Sequence, residues 1–72
     1  MTFGEKAVGL TFNPSGDDAV YKVKKAYADI IDQMNDSRSA HPNCDAARYA
    51  SIAITDAQAA QMWAVKALTW KD

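Results

Sequence analysis

Apolar residues recur at three- and four-residue intervals in two long stretches of the chain, and this period predicts two α-helices. The first predicted helix covers residues 16–35 and the second covers residues 44–70. The apolar stripe of the first helix consists of Val20, Val23, Tyr27, Ile30, Ile31 and Met34. Two helices joined by a short connection predict an all-α fold, a helical hairpin in a single domain of residues 1–72.

A non-helical N-terminal lead, residues 1–15, is predicted before the first helix, because glycine and proline interrupt this stretch. Pro14 disfavours helical geometry at Asn13, so a turn is predicted there. Ser15 is the predicted N-cap of the first helix, and Asp18 completes the spacing of a capping box.

The predicted connection is residues 36–43, in which Asn43 or Ser39 can cap the second helix. At ~1.5 Å per residue this second helix would be about 40 Å long, which is more than so small a domain covers alone. Thr55 and Gln58 have the spacing of an internal capping box, so a kink or break at Thr55 is the alternative to one straight helix.

Alanine recurs along the second predicted helix with heptad spacing. The positions are Ala46, Ala50, Ala53, Ala57, Ala60, Ala64 and Ala67. Such small side chains let a facing helix approach to about 8 Å. The facing helix is either the first helix or a second copy of the chain, and general helix propensity also explains alanine. Because 72 residues bury a limited core, we expect a helical oligomer.

The composition excludes several classes of function. A net charge of -1 argues against a partner that is a DNA or RNA polymer, because such binders carry a basic excess. One cysteine and one histidine cannot build a disulfide or a common zinc site, so neither a metal nor a cofactor is expected. No apolar run reaches the roughly 18 residues of a spanning helix, and no secretion signal is present. We therefore expect a cytosolic protein that stays off the membrane.

Two groups of polar residues are candidates for ligand binding. The first lies on one face of the second helix and comprises Arg48, Ser51, Thr55 and Gln58. One fixed cation with neutral donors suits a phosphate or a base edge. The second group is the lysines near the start of the first helix, where Lys24 or Lys25 can hold a phosphate from the side. For both groups the alternative is an ordinary solvated face.

The aromatic residues have two interpretations each. Phe12 can stack on a nucleobase or belong to the core. Trp63, Lys66 and Trp70 share one face near the C-terminus, which favours a contact between subunits. No Ser-His-Asp set, carboxylate pair or phosphate-binding glycine loop occurs, so the pattern favours a binder over an enzyme.

Three runs of residues carry a family resemblance: Gly9–Gly16 (GLTFNPSG), Ala47–Asp56 (ARYASIAITD) and Ala60–Ala67 (AQMWAVKA). Together they resemble the helical-hairpin family of phage anti-defence sponges. That family includes anti-CBASS proteins, which sequester cyclic oligonucleotides, and the related anti-Thoeris sponges. The resemblance covers most of the chain.

The resemblance implies a non-enzymatic, phage-encoded binder in the cytoplasm of the infected bacterium. Such a protein captures the signal nucleotide of an immune synthase, so the effector is not activated. It also implies a hexamer, assembled as a trimer of dimers. Cyclic dinucleotides of the cyclic GMP-AMP class would lie between subunits, and cyclic trinucleotides of the cyclic tri-AMP class would lie at separate sites.

Carried onto this chain, the resemblance implies two sets of ligand-binding residues. The dinucleotide set is Phe12, Asn13, Pro14, Ser15, Lys24 and Lys25, and the trinucleotide set is Arg48, Ser51 and Thr55. One departure is Ile54, where the resemblance predicts a polar or basic residue. The alternatives are a structural or protein-binding phage module without a nucleotide ligand, a sponge for a cyclic ADP-ribose-type signal, and a small DNA-binding regulator, which the net charge disfavours.

Overall fold

The computed structural model describes every residue from Met1 to Asp72 and contains three α-helices and no strand. The helices are α1 (Phe3–Val8), α2 (Asp18–Ala40) and α3 (Asp45–Thr69). α2 and α3 pack along each other as the predicted hairpin, while α1 packs mainly on α2. The prediction of an all-α helical hairpin is therefore confirmed.

The molecule is about one helix layer thick. Its principal axes measure 45 × 24 × 13 Å, and an α-helix with its side chains is about 10–12 Å across. Only 10 of the 72 residues are buried. Each long helix consequently has a face that no other part of the chain covers.

The prediction that the N-terminal lead is non-helical was wrong, because α1 lies within it. Thr2 begins this helix with a capping box. Its side-chain oxygen accepts a hydrogen bond from the amide of Glu5, and the Glu5 carboxylate accepts one from the amide of Thr2 at 2.8 Å. The helix ends at Gly9, whose φ of 62° is a left-handed conformation that glycine adopts without steric cost.

The N-cap of α2 is Asp17 and not Ser15, so the predicted cap and its capping box with Asp18 were wrong. Asp17 Oδ1 accepts a hydrogen bond of 2.8 Å from the amide of Ala19. The Ser15 hydroxyl instead donates to Asn13 Oδ1 at 3.1 Å. Because that hydroxyl is engaged inside the turn, the helix begins two residues later than predicted.

α2 continues to Ala40, and the predicted connection shortens to residues 41–44. Cys44 is the N-cap of α3 and makes no side-chain capping bond, so the prediction that Asn43 or Ser39 caps this helix was wrong. Asn43 has a φ of 62° and turns the chain. The Ser39 hydroxyl bonds back into α2.

α3 is one continuous helix, so the alternative of a break at Thr55 was wrong. The Thr55 hydroxyl donates to the carbonyl of Ser51, one turn earlier, at 3.2 Å. This bond back to the preceding turn satisfies the hydroxyl without opening the helix.

The core lies where the three helices meet. Its buried residues are Val8, Leu10, Ala28, Ile31 and Ile54. We call the seven alanines that recur with heptad spacing along α3 the alanine seam, and some of them are buried while others are exposed. Ala50, Ala53, Ala57 and Ala64 are buried or half-buried, whereas Ala46, Ala60 and Ala67 are exposed. The seam therefore packs partly inside its own chain and leaves three small residues open.

Candidate functional site

The turn between α1 and α2 is shaped by the way α1 ends. The amide of Gly9 bonds to the carbonyl of Lys6 at 3.2 Å, and the amide of Leu10 bonds to the carbonyl of Glu5 at 3.0 Å. These bonds satisfy carbonyls at the end of the helix. Leu10 is buried in the core. The chain is thus anchored in the core two residues before Phe12.

Lys24 fixes the turn from the side of α2. Its side chain is 5% exposed, and Nζ donates to the carbonyl of Gly9 at 3.0 Å and to the carbonyl of Phe12. The ammonium also lies 5.5 Å from the centroid of the Phe12 ring. An ammonium has three N–H donors, so one of them is left after the two carbonyl bonds.

The ring of Phe12 itself faces solvent, because this residue is 72% exposed. Phe12 is therefore not a core residue, which was one of the two interpretations of its sequence position. An exposed aromatic ring above a buried ammonium offers a π-face and a positive charge to the same ligand.

The remainder of the turn is held by its own polar side chains. Asn13 Nδ2 donates to the carbonyl of Asp17 at 3.0 Å, and the amide of Gly16 bonds to the carbonyl of Asn13 at 3.0 Å. Pro14 and Ser15 lie within the segment that these two bonds close. The sequence predicted a turn here, and the structure confirms it.

A cavity of about 300 Å³ opens beside this turn. It is lined by Phe12, Asn13, Pro14, Ser15, Val20, Lys24, Val65 and Thr69. Five of these residues belong to the predicted dinucleotide set, so the structure brings them together. The other three, Val20 at the start of α2 and Val65 and Thr69 at the end of α3, were not predicted as site residues. The predicted hairpin could have indicated them, because two antiparallel helices place the end of the second beside the start of the first.

Lys25 lies outside this cavity. Its Nζ is 3.2 Å from Asp29 Oδ1 and 3.5 Å from Glu5 Oε2. The hydrogen bond and charge of Asp29, followed by those of Glu5, raise the pKa of Lys25 above its ordinary value. For Glu5, the hydrogen bond from the Thr2 amide is the main cause of a lowered pKa. Lys25 thus ties α1 to α2 and does not approach the Phe12 ring.

The predicted trinucleotide set lies on one flank of α3, in the first half of the helix. The cavity beside Phe12 is lined instead by residues from the C-terminal end of that helix. Arg48 is exposed, and its guanidinium lies 4.8 Å from the centroid of the Tyr49 ring. Thr55 is also exposed. Ser51 is half-buried, and its hydroxyl donates to the carbonyl of Ala47 at 3.0 Å. Of the three residues in this set, only Arg48 and Thr55 are exposed.

Arg38 joins this flank from α2 and was not identified in the sequence, because it fell in the predicted connection. Its Nη1 donates to the Ser51 hydroxyl at 3.2 Å, and its Nε donates to Asn35 Oδ1 at 3.0 Å. The guanidinium lies 5.3 Å from the ring centroid of Phe3. Ile54, the residue that departs from the family resemblance, is 5% exposed and belongs to the core.

The two polar regions offer cations, hydroxyls and aromatic faces, which is a set of groups for binding anions and flat bases. No group of three or more His, Cys, Asp or Glu side chains lies together as a metal site requires. None of the three helices has both the length and the apolar character needed to cross a membrane.

The chain matches a family model over most of its length. The family model is described as Acb2/Tad1, hairpin domain, and it matches residues 5–69. The chain has no match among curated proteins and none among solved structures.

Proposed function

Because this chain belongs to the Acb2/Tad1 hairpin family of anti-CBASS and anti-Thoeris sponges, which bind cyclic nucleotides without catalysis, we propose that it sequesters cyclic di- and trinucleotide immune signals. In this proposal the protein acts in the cytoplasm of an infected bacterium. It withholds the signal from a CBASS-type effector, and the captured nucleotide is not altered.

The observation that carries this proposal is the pairing of Phe12 with Lys24 at one cavity. A nucleobase stacks on the exposed ring, and the third N–H of the ammonium reaches a phosphate oxygen. Such a donor is already desolvated by its surroundings, which strengthens its bond to an anion. Asn13 and Ser15 add polar contacts at the edge. Lys25 is engaged by Asp29 and Glu5, so we assign the phosphate to Lys24.

The size of the cavity supports a site shared between subunits. Small-molecule sites have volumes of about 300–1,000 Å³, and this one, at about 300 Å³, is at the lower limit. It suits one nucleotide unit of a cyclic dinucleotide. A second copy of the chain would supply the matching half, in agreement with the proposed homo-oligomer, a hexamer.

The flank of α3 is proposed as the separate trinucleotide site. Exposed Arg48 offers a planar, permanently charged fork, and exposed Thr55 offers a hydroxyl on the same side of the helix. Three copies of this flank around a symmetry axis would match the rotational symmetry of cyclic tri-AMP.

The test is a thermal-shift titration of the pure protein with 3′,3′-cyclic GMP-AMP and with cyclic tri-AMP, with linear dinucleotide as the control. Binding to the native state stabilises it by ~2.7 kcal/mol when the free ligand is at a hundredfold excess over Kd. We expect a shift with the cyclic ligands and chemically intact nucleotide after heat release.

Each other outcome contradicts the proposal in a different way. A shift with a cyclic ADP-ribose-type compound alone would make the protein a sponge for that signal. No shift with any nucleotide would favour the structural or protein-binding module. Recovery of hydrolysed nucleotide would show an enzyme.

A further inference from the structure

Arg38, near the end of α2, is held in place by neutral groups alone. Its Nε donates to Asn35 Oδ1 at 3.0 Å, and its Nη1 donates to the Ser51 hydroxyl at 3.2 Å. Both ion pairs of the chain belong to Lys25, so no carboxylate neutralises Arg38. Its side chain is half-buried. A charge that is partly removed from water and has no opposite charge beside it favours the binding of an anion.

The guanidinium of Arg38 still has N–H groups for a ligand. It carries five N–H donors in a planar fork. Asn35 and Ser51 take one each, so three of the five are left. The Phe3 ring centroid lies 5.3 Å from the guanidinium carbon. Stacking on an aromatic ring covers one face of a guanidinium and leaves the N–H groups at its edge, where they can bind two oxygens of a phosphate.

Ser51 joins Arg38 to the polar flank of α3. Arg48 lies three residues before Ser51 and Thr55 lies four residues after it, so the three side chains project to the same side of the helix. The Ser51 hydroxyl has a single proton, and it donates this proton to the carbonyl of Ala47 at 3.0 Å. Ser51 therefore has no donor left for a phosphate, and its other contact is the bond it accepts from Arg38.

On the basis of the trinucleotide site proposed for this flank, we propose that Arg38 binds a phosphate of the cyclic trinucleotide and that Ser51 is the positioning residue that holds Arg38 there. The phosphate then lies between the guanidinium of Arg38, from α2, and that of Arg48, from α3. The hydroxyl of Thr55 is left for a base edge or a second phosphate oxygen.

The two arginines differ in how far they are ordered before a ligand arrives. Arg48 is exposed, and its guanidinium lies against the ring of its neighbour Tyr49 at 4.8 Å from the centroid. Arg38 has two hydrogen bonds and one ring contact to three separate residues. Because its side-chain entropy is largely lost on folding, Arg38 adds its bonds to the anion at a lower entropic cost than Arg48.

The first test compares two ligands on one variant by isothermal titration calorimetry. Arg38→Gln should weaken the binding of cyclic tri-AMP by at least about tenfold, which is the usual loss when hydrogen bonds from a charged group are removed. The affinity for 3′,3′-cyclic GMP-AMP should not change, because Arg38 does not line the cavity at Phe12. Lys22→Gln, which removes an exposed charge from the other end of α2, is the control. Circular dichroism gives the helix content of both variants.

The second test asks whether Ser51 acts through Arg38. Ser51→Ala should weaken the binding of cyclic tri-AMP in the wild-type background and have no further effect in Arg38→Gln, since the residue it positions is already gone. Two residues that contacted the ligand independently would instead give additive losses. Additive losses would therefore overturn the positioning role of Ser51, and a cycle with strong coupling would support it.

The third test uses the wild-type protein and needs no substitution. Arg38 and Arg48 are the two arginines of the chain, so modification by phenylglyoxal can be followed at each of them by mass spectrometry. Cyclic tri-AMP should protect both arginines, and 3′,3′-cyclic GMP-AMP should protect neither.

The contrary outcomes separate this assignment from the proposed function. Protection of Arg48 alone, or an unchanged affinity of Arg38→Gln for cyclic tri-AMP, would overturn the role of Arg38 and leave the trinucleotide site standing. A wild-type protein that does not bind cyclic tri-AMP would overturn both.

Discussion

The backbone amide of Gly4 donates a 2.6 Å hydrogen bond to Oδ1 of Asp32, and this bond fixes the start of α1 on the side of α2. The first amides of a helix have no partner within it, and the carboxylate of Asp32 supplies one. Hydrogen bonds from the Thr2 side chain and from the Gly4 amide hold the pKa of Asp32 below its ordinary value. α1 in turn carries the turn that presents Phe12.

Gly4→Ala should destabilise the protein. A Cβ at this position would overlap the carbonyl oxygen of Ala28 and lie 2.9 Å from Asp32 Oδ1, and the backbone of α2 cannot move away cheaply. Overpacking of this kind costs about 1–3 kcal/mol, against a gain in helix propensity of ~1 kcal/mol. Urea unfolding at fixed protein concentration measures the difference, and Lys6→Ala, on the exposed side of α1, is the control. A Gly4→Ala variant as stable as wild type would show that α1 is not closely packed.

Asp32→Asn should lower stability at neutral pH and progressively less in acid. A carboxyl with a lowered pKa in the folded state stabilises fully above its unfolded pKa, and this contribution is lost as the pH falls through the folded pKa. The unfolding free energies of wild type and Asp32→Asn should therefore converge between about pH 5 and pH 2. Urea titrations across that range measure the convergence. Asp36→Asn, an exposed control, should change stability little, and a constant difference for Asp32→Asn would contradict the assignment.

Phe12→Ala should weaken the binding of 3′,3′-cyclic GMP-AMP and leave the fold intact, because the ring is mostly exposed. Losing one stack between a base and an aromatic ring costs about 1–3 kcal/mol. Isothermal titration calorimetry gives the affinity, and circular dichroism gives the helix content. The matched control is Tyr21→Ala, an exposed aromatic residue outside the cavity. Unchanged affinity in Phe12→Ala would move the site elsewhere.

Lys24→Met should lower both stability and affinity, which distinguishes it from Phe12→Ala. The substitution keeps the aliphatic length but removes the donor to the carbonyls of Gly9 and Phe12. The Gly9 carbonyl keeps the Phe12 amide as a partner, so the expected loss is that of hydrogen bonds to a charged group, about 1.5–3 kcal/mol. Unfolding and titration experiments on one preparation measure the two effects. Lys22→Met serves as the control, since Lys22 is exposed. A Lys24→Met variant with wild-type affinity would exclude this ammonium from the ligand site.

Arg48→Ala should abolish the binding of cyclic tri-AMP while leaving that of cyclic GMP-AMP nearly unchanged. The guanidinium is exposed on the flank of α3 and does not line the cavity at Phe12. Parallel titrations with the two ligands test the separation of the sites. Loss of both activities in a folded variant would contradict two independent sites, and loss of neither would return Arg48 to the solvated surface.

The hairpin was predictable from the sequence, and α1 was not. The periodic stripes of α2 and α3 are long, so the pattern outweighs local interruptions. α1 is short, and Gly4 and Gly9 within the same stretch indicate a loop. In the fold, Gly4 lies inside α1, where the absence of a side chain lets this helix pack closely against the backbone of α2. Gly9, in contrast, ends α1. The capping-box spacing of Thr2 and Glu5 was the available signal for α1.

The candidate site was predictable as a set of residue types but not as an arrangement. Lys24 and Lys25 are adjacent in the sequence, but only Lys24 lies at helical spacing from both Val20 and Ile31, and this register was the available signal that it faces inward. Tertiary contacts separate them, because Lys24 turns toward the Phe12 carbonyl and Lys25 turns toward Asp29. Arg38 was missed because α2 runs five residues beyond its predicted end, which brings Arg38 onto Ser51.

The ammonium of Lys24 joins the carbonyls of Gly9 and Phe12, so that the turn is held by a side chain of the same chain. The turn is therefore preorganised, and an incoming molecule meets a surface whose backbone entropy was already lost on folding. We therefore expect the rate of association to be set by diffusional encounter, without a slow rearrangement of the loop. For the sponge proposed above, this favours rapid capture of the nucleotide.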